Sequence, residues 1–376
     1  MSRLVKIAAY VYPSSVVNPT GIGMLTLNMA LALARNPEVD FCLVASEAEL
    51  GKDRMLPADN PLHGIPTIGL PWSRSFREGC WLATNYPVID RYVAPDYWIY
   101  NSMETYVPAN RCRRIVTVHH FDPLTRCLPL SRTWCRERLR TLRLRRAITT
   151  AELVIAQSSF TKNMIIERYG LSPERIAVVG SGVAEADYED SGSPKATLPE
   201  GVCEPYILSV GVFVSRKGAD YLIALAQELR RRQSPLQIVC PVGIYGEPQY
   251  VAEGLQQSNM VLLGRVRLEE LHLLMKRSVC MVLLSRLEGF GLTAVEGMAA
   301  GTPVVASNNS ALPETLGGAG VLVDPTQAGQ AADVVTRLLQ DAALRSEHIA
   351  KGRSRVRYFS WEACMNRLLG AVAHHQ

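Results

Sequence analysis

Leu284 to Pro325, LSRLEGFGLTAVEGMAAGTPVVASNNSALPETLGGAGVLVDP, is the stretch whose reading decides the fold. It closes an apolar run, Val279 to Leu284, of the kind that fills a strand buried on both faces, and then breaks into a loop carrying Glu288, Gly289 and Gly291. Thr293 stands three residues before Glu296, the spacing of a capping box. Ala294 to Ala300 are good helix formers, stopped by Gly301 and Pro303. Val304 to Ala306 supply a second short strand. The expected unit is strand, acidic glycine loop, helix, strand. It sets Glu288 and Glu296 around one helix N-terminus, where free N–H groups favour anions.

The same alternation runs outward in both directions. Upstream, Leu4–Tyr10, Phe41–Ala45, Ile99–Tyr100, Ile115–Val118, Val154–Ala156 and Ile176–Val179 read as buried strands, with helices over Gly23–Arg35 and Phe160–Tyr169. A polar, Gly/Pro/Ser-rich stretch, taken as a linker over 186–204, interrupts the pattern. It restarts with strands at Tyr206–Val210, Gln237–Cys240 and Val261–Leu263 and helices over Ala219–Arg230 and Leu268–Lys276. Two α/β halves, 1–185 and 205–356, predict two doubly wound, Rossmann-like parallel sheets facing across a cleft. Residues 357–376 are expected to form a helix that packs back on the N-terminal domain.

Composition narrows the classes of function. The 376 residues are 48% hydrophobic and 20% charged, as for a globular protein of two domains, and a net charge of +5 is too small to argue for nucleic acid without a motif. Nine cysteines show neither a C-x-x-C pair nor zinc-ligand spacing, which fits reduced thiols in a cytoplasmic protein without a metal site. The N-terminal apolar run is short and lacks a small-residue cleavage site, so a signal peptide is not expected. No stretch approaches the roughly 18 apolar residues that span a bilayer.

Three further features invite a role. Gly21-Ile22-Gly23 lies between the first strand and its helix, where α/β folds bind phosphate, although a plain tight turn explains it as well. His119-His120 ends a parallel strand on the side where sites form, against a bland reading as a surface pair. Arg126 to Arg146 holds eight arginines and one acid, Glu137, with Arg136, Arg140 and Arg143 at helical spacing. This is either a solvated face or a surface for an anionic membrane or a phosphate-bearing acceptor.

These residues together resemble the retaining, sugar-nucleotide-dependent glycosyltransferases of the GT-B fold known as family four, and among them the mannosyltransferases of bacterial surface polysaccharides. The resemblance rests on Glu288-x7-Glu296 within EGFGLTAVE, the following GTPVVASNNSALPE, the Gly21-Ile22-Gly23 turn, VTVHH with His119, AQSSFTK, and LSVGVFVSRKG with Arg216 and Lys217. It implies that Arg216 and Lys217 hold the donor diphosphate, that Glu296 accepts from the ribose hydroxyls, and that Glu288 meets the transferred sugar. Gly289, Phe290, Gly291 and Leu292 would bring backbone N–H groups to the donor, His119 would face the sugar, and Gly21 and Gly23 would lie against the diphosphate or acceptor. The capping box leaves Glu296 a second reading, as a helix cap only. His120, Met24 and Ser181 stand where many relatives carry Asp, Arg and Asn.

The implied reaction moves a hexose, with retention, from a nucleotide diphosphate sugar to a hydroxyl of a glycan or lipid-linked glycan. It uses no metal and no separate cofactor, with GDP-mannose favoured over a UDP-sugar. A cytoplasmic enzyme, peripheral on the inner face of the membrane, would fit. The alternatives are a GT-B isomerase or phosphorylase, and a non-catalytic scaffold that kept the fold.

Overall fold

The computed structural model describes residues 4–17, 21–101, 105–119, 132–183 and 197–375. The chain divides into two units: Met1–Gly182 with Trp361–Gln376, and Val183–Ser360.

The first unit is built on β1 (Val5–Tyr10), α1 (Pro13–Val17), α2 (Gly21–Arg35), β2 (Val39–Ser46), β3 (Thr67–Leu70), α3 (Arg74–Thr84), β4 (Trp98–Asn101), β5 (Arg113–Val118), α4 (Arg132–Thr150), β6 (Leu153–Ala156), α5 (Ser159–Tyr169) and β7 (Ile176–Val178). The strands form one parallel sheet in the order β3-β2-β1-β4-β5-β6-β7. Parallel pairing needs helical crossovers that cover both faces, which is why these strands read as unbroken apolar runs. The N-terminal apolar run is β1, in the interior of the sheet, with Ile7 to Tyr10 almost wholly buried. Strand order reverses between β1 and β4, so the crevice at their C-terminal ends is where such sheets take ligands.

Three elements here, α1, β3 and α3, were not expected from the sequence. For α3 the reason is chemical: its inner face is Arg77, Glu78 and Trp81, so its apolar periodicity is broken by two charged residues. Arg77 is 1% exposed and donates to the carbonyls of Pro71 and Trp72, both at 3.0 Å, and to the Tyr10 hydroxyl at 3.1 Å.

The second unit carries β8 (Tyr206–Leu208), α6 (Ala219–Arg231), β9 (Gln237–Cys240), α7 (Pro248–Leu255), β10 (Met260–Leu262), α8 (Leu268–Arg277), β11 (Met281–Leu283), α9 (Leu292–Ala299), β12 (Val304–Ser307), α10 (Leu312–Leu316), β13 (Val321–Val323), α11 (Ala328–Gln340) and α12 (Ala342–Val356). Its parallel sheet runs β10-β9-β8-β11-β12-β13. The reversal falls between β8 and β11. Two apolar clusters sandwich this sheet, one around Leu274, Met281, Val295 and Leu316, the other around Ile207, Leu225, Val282 and Val335. Of the stretch taken as a linker, residues 186–196 lie outside the described residues, whereas Leu198 and Val202 pack on the first of these clusters.

The last helix, α13 (Trp361–Ala373), belongs to the first unit. Its Cys364, Met365, Leu368 and Val372 are buried with Leu27, Ala30 and Leu33 of α2 and with Ile155 of β6. Burying one such leucine contributes about 2 kcal/mol.

Candidate active site

The crevice between the C-terminal ends of β8 and β11 is formed by two loops from adjacent strands. The first, after β8, ends in a 3-10 turn, Ser215–Lys217, which places two cations at the end of the strand. Gly218 closes this turn with φ +74°, and a side chain there would collide with the Leu284 carbonyl. Only glycine satisfies both the backbone conformation and the close approach. The second loop, Ser285 to Gly291, follows β11 and feeds α9.

The loops are tied to each other through Arg286. Its N–H donates to the Arg216 carbonyl at 2.9 Å, its guanidinium reaches the Ser215 carbonyl at 2.6 Å, and it grips both oxygens of Asp220 in the first turn of α6. It also stacks over the Tyr221 ring at 4.0 Å. In return, Arg216 donates to the Leu287 carbonyl at 3.2 Å. Bidentate guanidinium–carboxylate contact fixes direction as well as distance, so the cationic turn and the acidic loop move as one body. Arg286 and Asp220 were not singled out from the sequence. The available signal was an arginine two residues ahead of Glu288.

Across the crevice, Lys217 Nζ lies 2.5 Å from Glu288 Oε1, which also accepts from the Ser285 hydroxyl at 2.8 Å. Glu288 is 7% exposed. Its own N–H donates to Ser310 Oγ at 3.1 Å, and its carbonyl accepts from Ala311 at 3.2 Å. Burial pushes the Glu288 carboxyl up. The charge and hydrogen bond of Lys217, the Ser285 hydroxyl and the Arg216 charge outweigh it, so the net direction is below the ordinary 4.5. Glu288 is therefore an anion at neutral pH. A pocket opens beside the pair, lined by Ser209, Gly211, Phe213, Lys217, Ser285 and Glu288.

The capping box expected at Thr293 is absent. The helix begins two residues earlier than that cap implies, at Leu292, with Gly291 as its N-cap at φ +90° and no side-chain cap. Glycine's tolerance of positive φ starts the helix there, which moves Glu296 from the third to the fifth helical position, beyond reach of the N-cap amide. The reading of Glu296 as a cap therefore falls. Among the described residues its carboxyl makes no side-chain hydrogen bond, and burial pushes it up to about 7 against an opposing pull from Lys217. Gly289, Phe290 and Gly291 are buried and Leu292 is half-buried. The Phe290 ring turns away into the core, edge-on to Phe359 at 5.3 Å, so only its backbone can serve a ligand.

In the first unit, His119 is buried directly after β5. His120 lies outside the described residues. Gly21 and Gly23 form the first turn of α2 and not a loop ahead of it, because the helix starts at Gly21; Gly23 is buried. Arg140 is exposed, and Arg143 sits 3.4 Å from the buried carboxylate of Glu78, which in turn accepts from the Tyr12 hydroxyl at 2.6 Å. The Arg143 side chain remains about a third exposed while it pairs with that acid. The Arg136 side chain lies outside the described residues.

Two doubly wound parallel sheets in one chain, the second holding a cation pair, the buried carboxylate of Glu288 and the half-buried one of Glu296 at its switch point, are the GT-B architecture of nucleotide-sugar enzymes. Family models for "Glycosyl transferases group 1" and "Glycosyltransferase Family 4" match residues 195–355 and 19–186. O-antigen chain mannosyltransferase B of Escherichia coli is 30% identical over 284 residues, which cover 73% of this chain and 74% of that protein. Sucrose-phosphate synthase from Thermosynechococcus elongatus shares the fold with a TM-score of 0.69 at 22% identity, covering 99% and 100% of the two chains. HepE from Anabaena, solved with UDP-glucose, has a TM-score of 0.67 at 20% identity, covering 98% and 99%. The chain belongs to the GT-B glycosyltransferases of family four.

Proposed function

We propose that the protein transfers a hexose, with retention at the anomeric carbon, from a nucleotide diphosphate sugar to a hydroxyl of a glycan or lipid-linked glycan. The observation that carries this is the Lys217–Glu288 pair across the β8/β11 crevice, with the Glu296 carboxyl on the adjoining helix, which makes no side-chain hydrogen bond among the described residues. Arg216, Lys217 and the N-terminus of α9 stabilise the departing diphosphate, the role a metal fills elsewhere. Glu288, ionised, accepts from hydroxyls of the sugar. Glu296 accepts from the ribose hydroxyls, which supply the donors that the protein withholds from it. His119, as a neutral imidazole, hydrogen-bonds a sugar hydroxyl, and the first turn of α2, with Gly21 and Gly23, receives the diphosphate or the acceptor.

In the reaction the bond from the anomeric carbon to the diphosphate oxygen breaks as the acceptor oxygen attacks the same face. The acceptor proton passes to the departing phosphate. Neither glutamate forms a glycosyl ester, and the pair is not the acid and nucleophile of a glycosidase. Catalysis is then mostly positioning and leaving-group stabilisation. GDP-mannose is the favoured donor, supported by the mannosyltransferase relative; HepE with UDP-glucose lies at an identity that speaks for the fold alone.

A panel of nucleotide sugars, with nucleotide release measured with and without a mannan-type acceptor, tests this. GDP-mannose should turn over fastest and only with acceptor. Turnover without acceptor would favour an isomerase, a requirement for inorganic phosphate a phosphorylase, and no nucleotide binding by calorimetry a scaffold. The anomeric configuration of the product, read by NMR, tests retention.

A further inference from the structure

Eight large hydrophobic side chains of the first unit are exposed among its described residues, and five of them lie on or beside α3 and α4: Trp72, Phe76, Tyr86, Leu139 and Leu142. Single exposed leucines need no explanation, but a cluster does. Trp72 and Phe76 touch edge to face at 5.5 Å, and Tyr86 lies 6.3 Å from Trp72. The indole is held out by its own backbone. Trp72 adopts φ +66°, an outlier for a bulky residue, and its carbonyl is pinned by the Ser46 hydroxyl at 2.8 Å and by buried Arg77 at 3.0 Å.

The two helices are neighbours. Arg143 of α4 meets Glu78 of α3, and one turn on, Arg146 donates to the Leu82 carbonyl at 2.6 Å and to Asn85 at 2.8 Å. Counting back one turn from the Arg143–Glu78 contact brings Leu139 alongside Arg74, at the start of α3, while Phe76, two positions from both Arg74 and Glu78, points to the outer side of that helix. Leu142 lies three residues further on the same outer side of α4, opposite buried Leu144 and Ile148. Exposed Arg138, Arg140 and Arg145 surround these leucines. The acids of the two helices are Glu78, which is buried, and Glu137.

We propose that this α3–α4 face is an interfacial anchor that seats the first unit on an anionic lipid surface. The aromatic and leucine side chains enter the headgroup–acyl boundary, and the arginines meet lipid phosphates. Aromatic side chains with a polar edge favour that boundary, and arginines at its rim lose little hydration to lie there. A second copy of this chain is the poorer occupant, because a twofold contact through this face would set arginine against arginine. The proposal deepens the reading of a lipid-linked acceptor, but it moves the contact from Arg136, Arg140 and Arg143 to apolar residues presented by α3 and α4.

Vesicle co-sedimentation of the full chain tests it, using phosphatidylcholine with about one third phosphatidylglycerol. The wild type should bind, and Phe76→Ser/Leu142→Ser should lower the partition coefficient at least about tenfold, because two buried apolar side chains are lost. Circular dichroism and calorimetric nucleotide binding of the variant should match the wild type, since neither residue is in the core or the donor site. Equal binding by variant and wild type overturns the proposal, as does concentration-dependent dimerisation in ultracentrifugation that the variant abolishes. Failure of nucleotide binding in a wild type that still binds vesicles would instead overturn the donor-site reading alone.

Discussion

Replacing Lys217 by Met removes the cation bonded to a nearly buried carboxylate while keeping most of the side-chain volume. The Lys217 side chain is about a quarter exposed, so solvent screens the pair little. Breaking one side of a buried ion pair costs about 3–5 kcal/mol, because the remaining charge keeps its desolvation penalty. Ser285 still donates to Glu288, which favours the lower figure, about 3 kcal/mol. The sign of the pH dependence follows. In the wild type the Glu288 carboxyl is depressed below 4.5, so its contribution to stability is present above that value and is lost as pH falls through the folded pKa. Without Lys217 burial dominates and the carboxyl rises above 4.5; the variant then loses stability as pH rises. Denaturant titration at pH 5 and pH 8 should show a larger deficit for Lys217→Met at pH 8. Adding Glu288→Gln should recover most of it without restoring turnover, which requires the cation at the diphosphate and is expected to fall about 100-fold or more. A Lys217→Met protein as stable as wild type at pH 8, or strictly additive effects in the double variant, would refute the reasoning.

Glu296, raised to about 7, should make the empty protein lose stability as pH climbs from 4.5 to 7, on the order of 2 kcal/mol, a cost Glu296→Gln removes; thermal melts of both proteins across that range check it. Nucleotide affinity, measured by calorimetry, should rise between pH 6 and pH 8 in the wild type and stay flat in Glu296→Gln. Arg143→Ala should destabilise by about 3 kcal/mol through the stranded Glu78, whereas Arg140→Ala should change the denaturation midpoint little. Thr293→Ala should cost under about 0.5 kcal/mol because Thr293 caps nothing, while Gly291→Ala should cost about 1 kcal/mol or more from positive φ and its collision with Leu312.

The parallel sheets were legible because strands covered on both faces must be apolar throughout, and Val279–Leu284 or Val154–Ala156 admit little else. Elements that bury charge were not. The inner face of α3 is polar because Glu78, Arg77 and the Tyr10 and Tyr12 hydroxyls satisfy one another, a fact held in contacts 60 and more residues apart. In the site, the glycine loop and its glutamates stood out by type and spacing. The partnership of Lys217 with Glu288 spans 71 residues and could not be read from either neighbourhood. The false cap at Thr293 shows the limit of local rules: Thr-x-x-Glu fits the motif, but Gly291 offers an earlier start that costs the backbone nothing.

The return of α13 to the first unit sets an order on the protein's birth. Unit one begins ahead of the second unit, yet its cluster around Leu33 and Ile155 needs Cys364, Met365, Leu368 and Val372, which leave the ribosome only after the whole of the second unit. The second unit, whose residues are contiguous from Val183 to Ser360, can close while the chain is still tethered. The half begun first is therefore completed after the other. A stop codon just ahead of Trp361 would wound the first unit and spare the second.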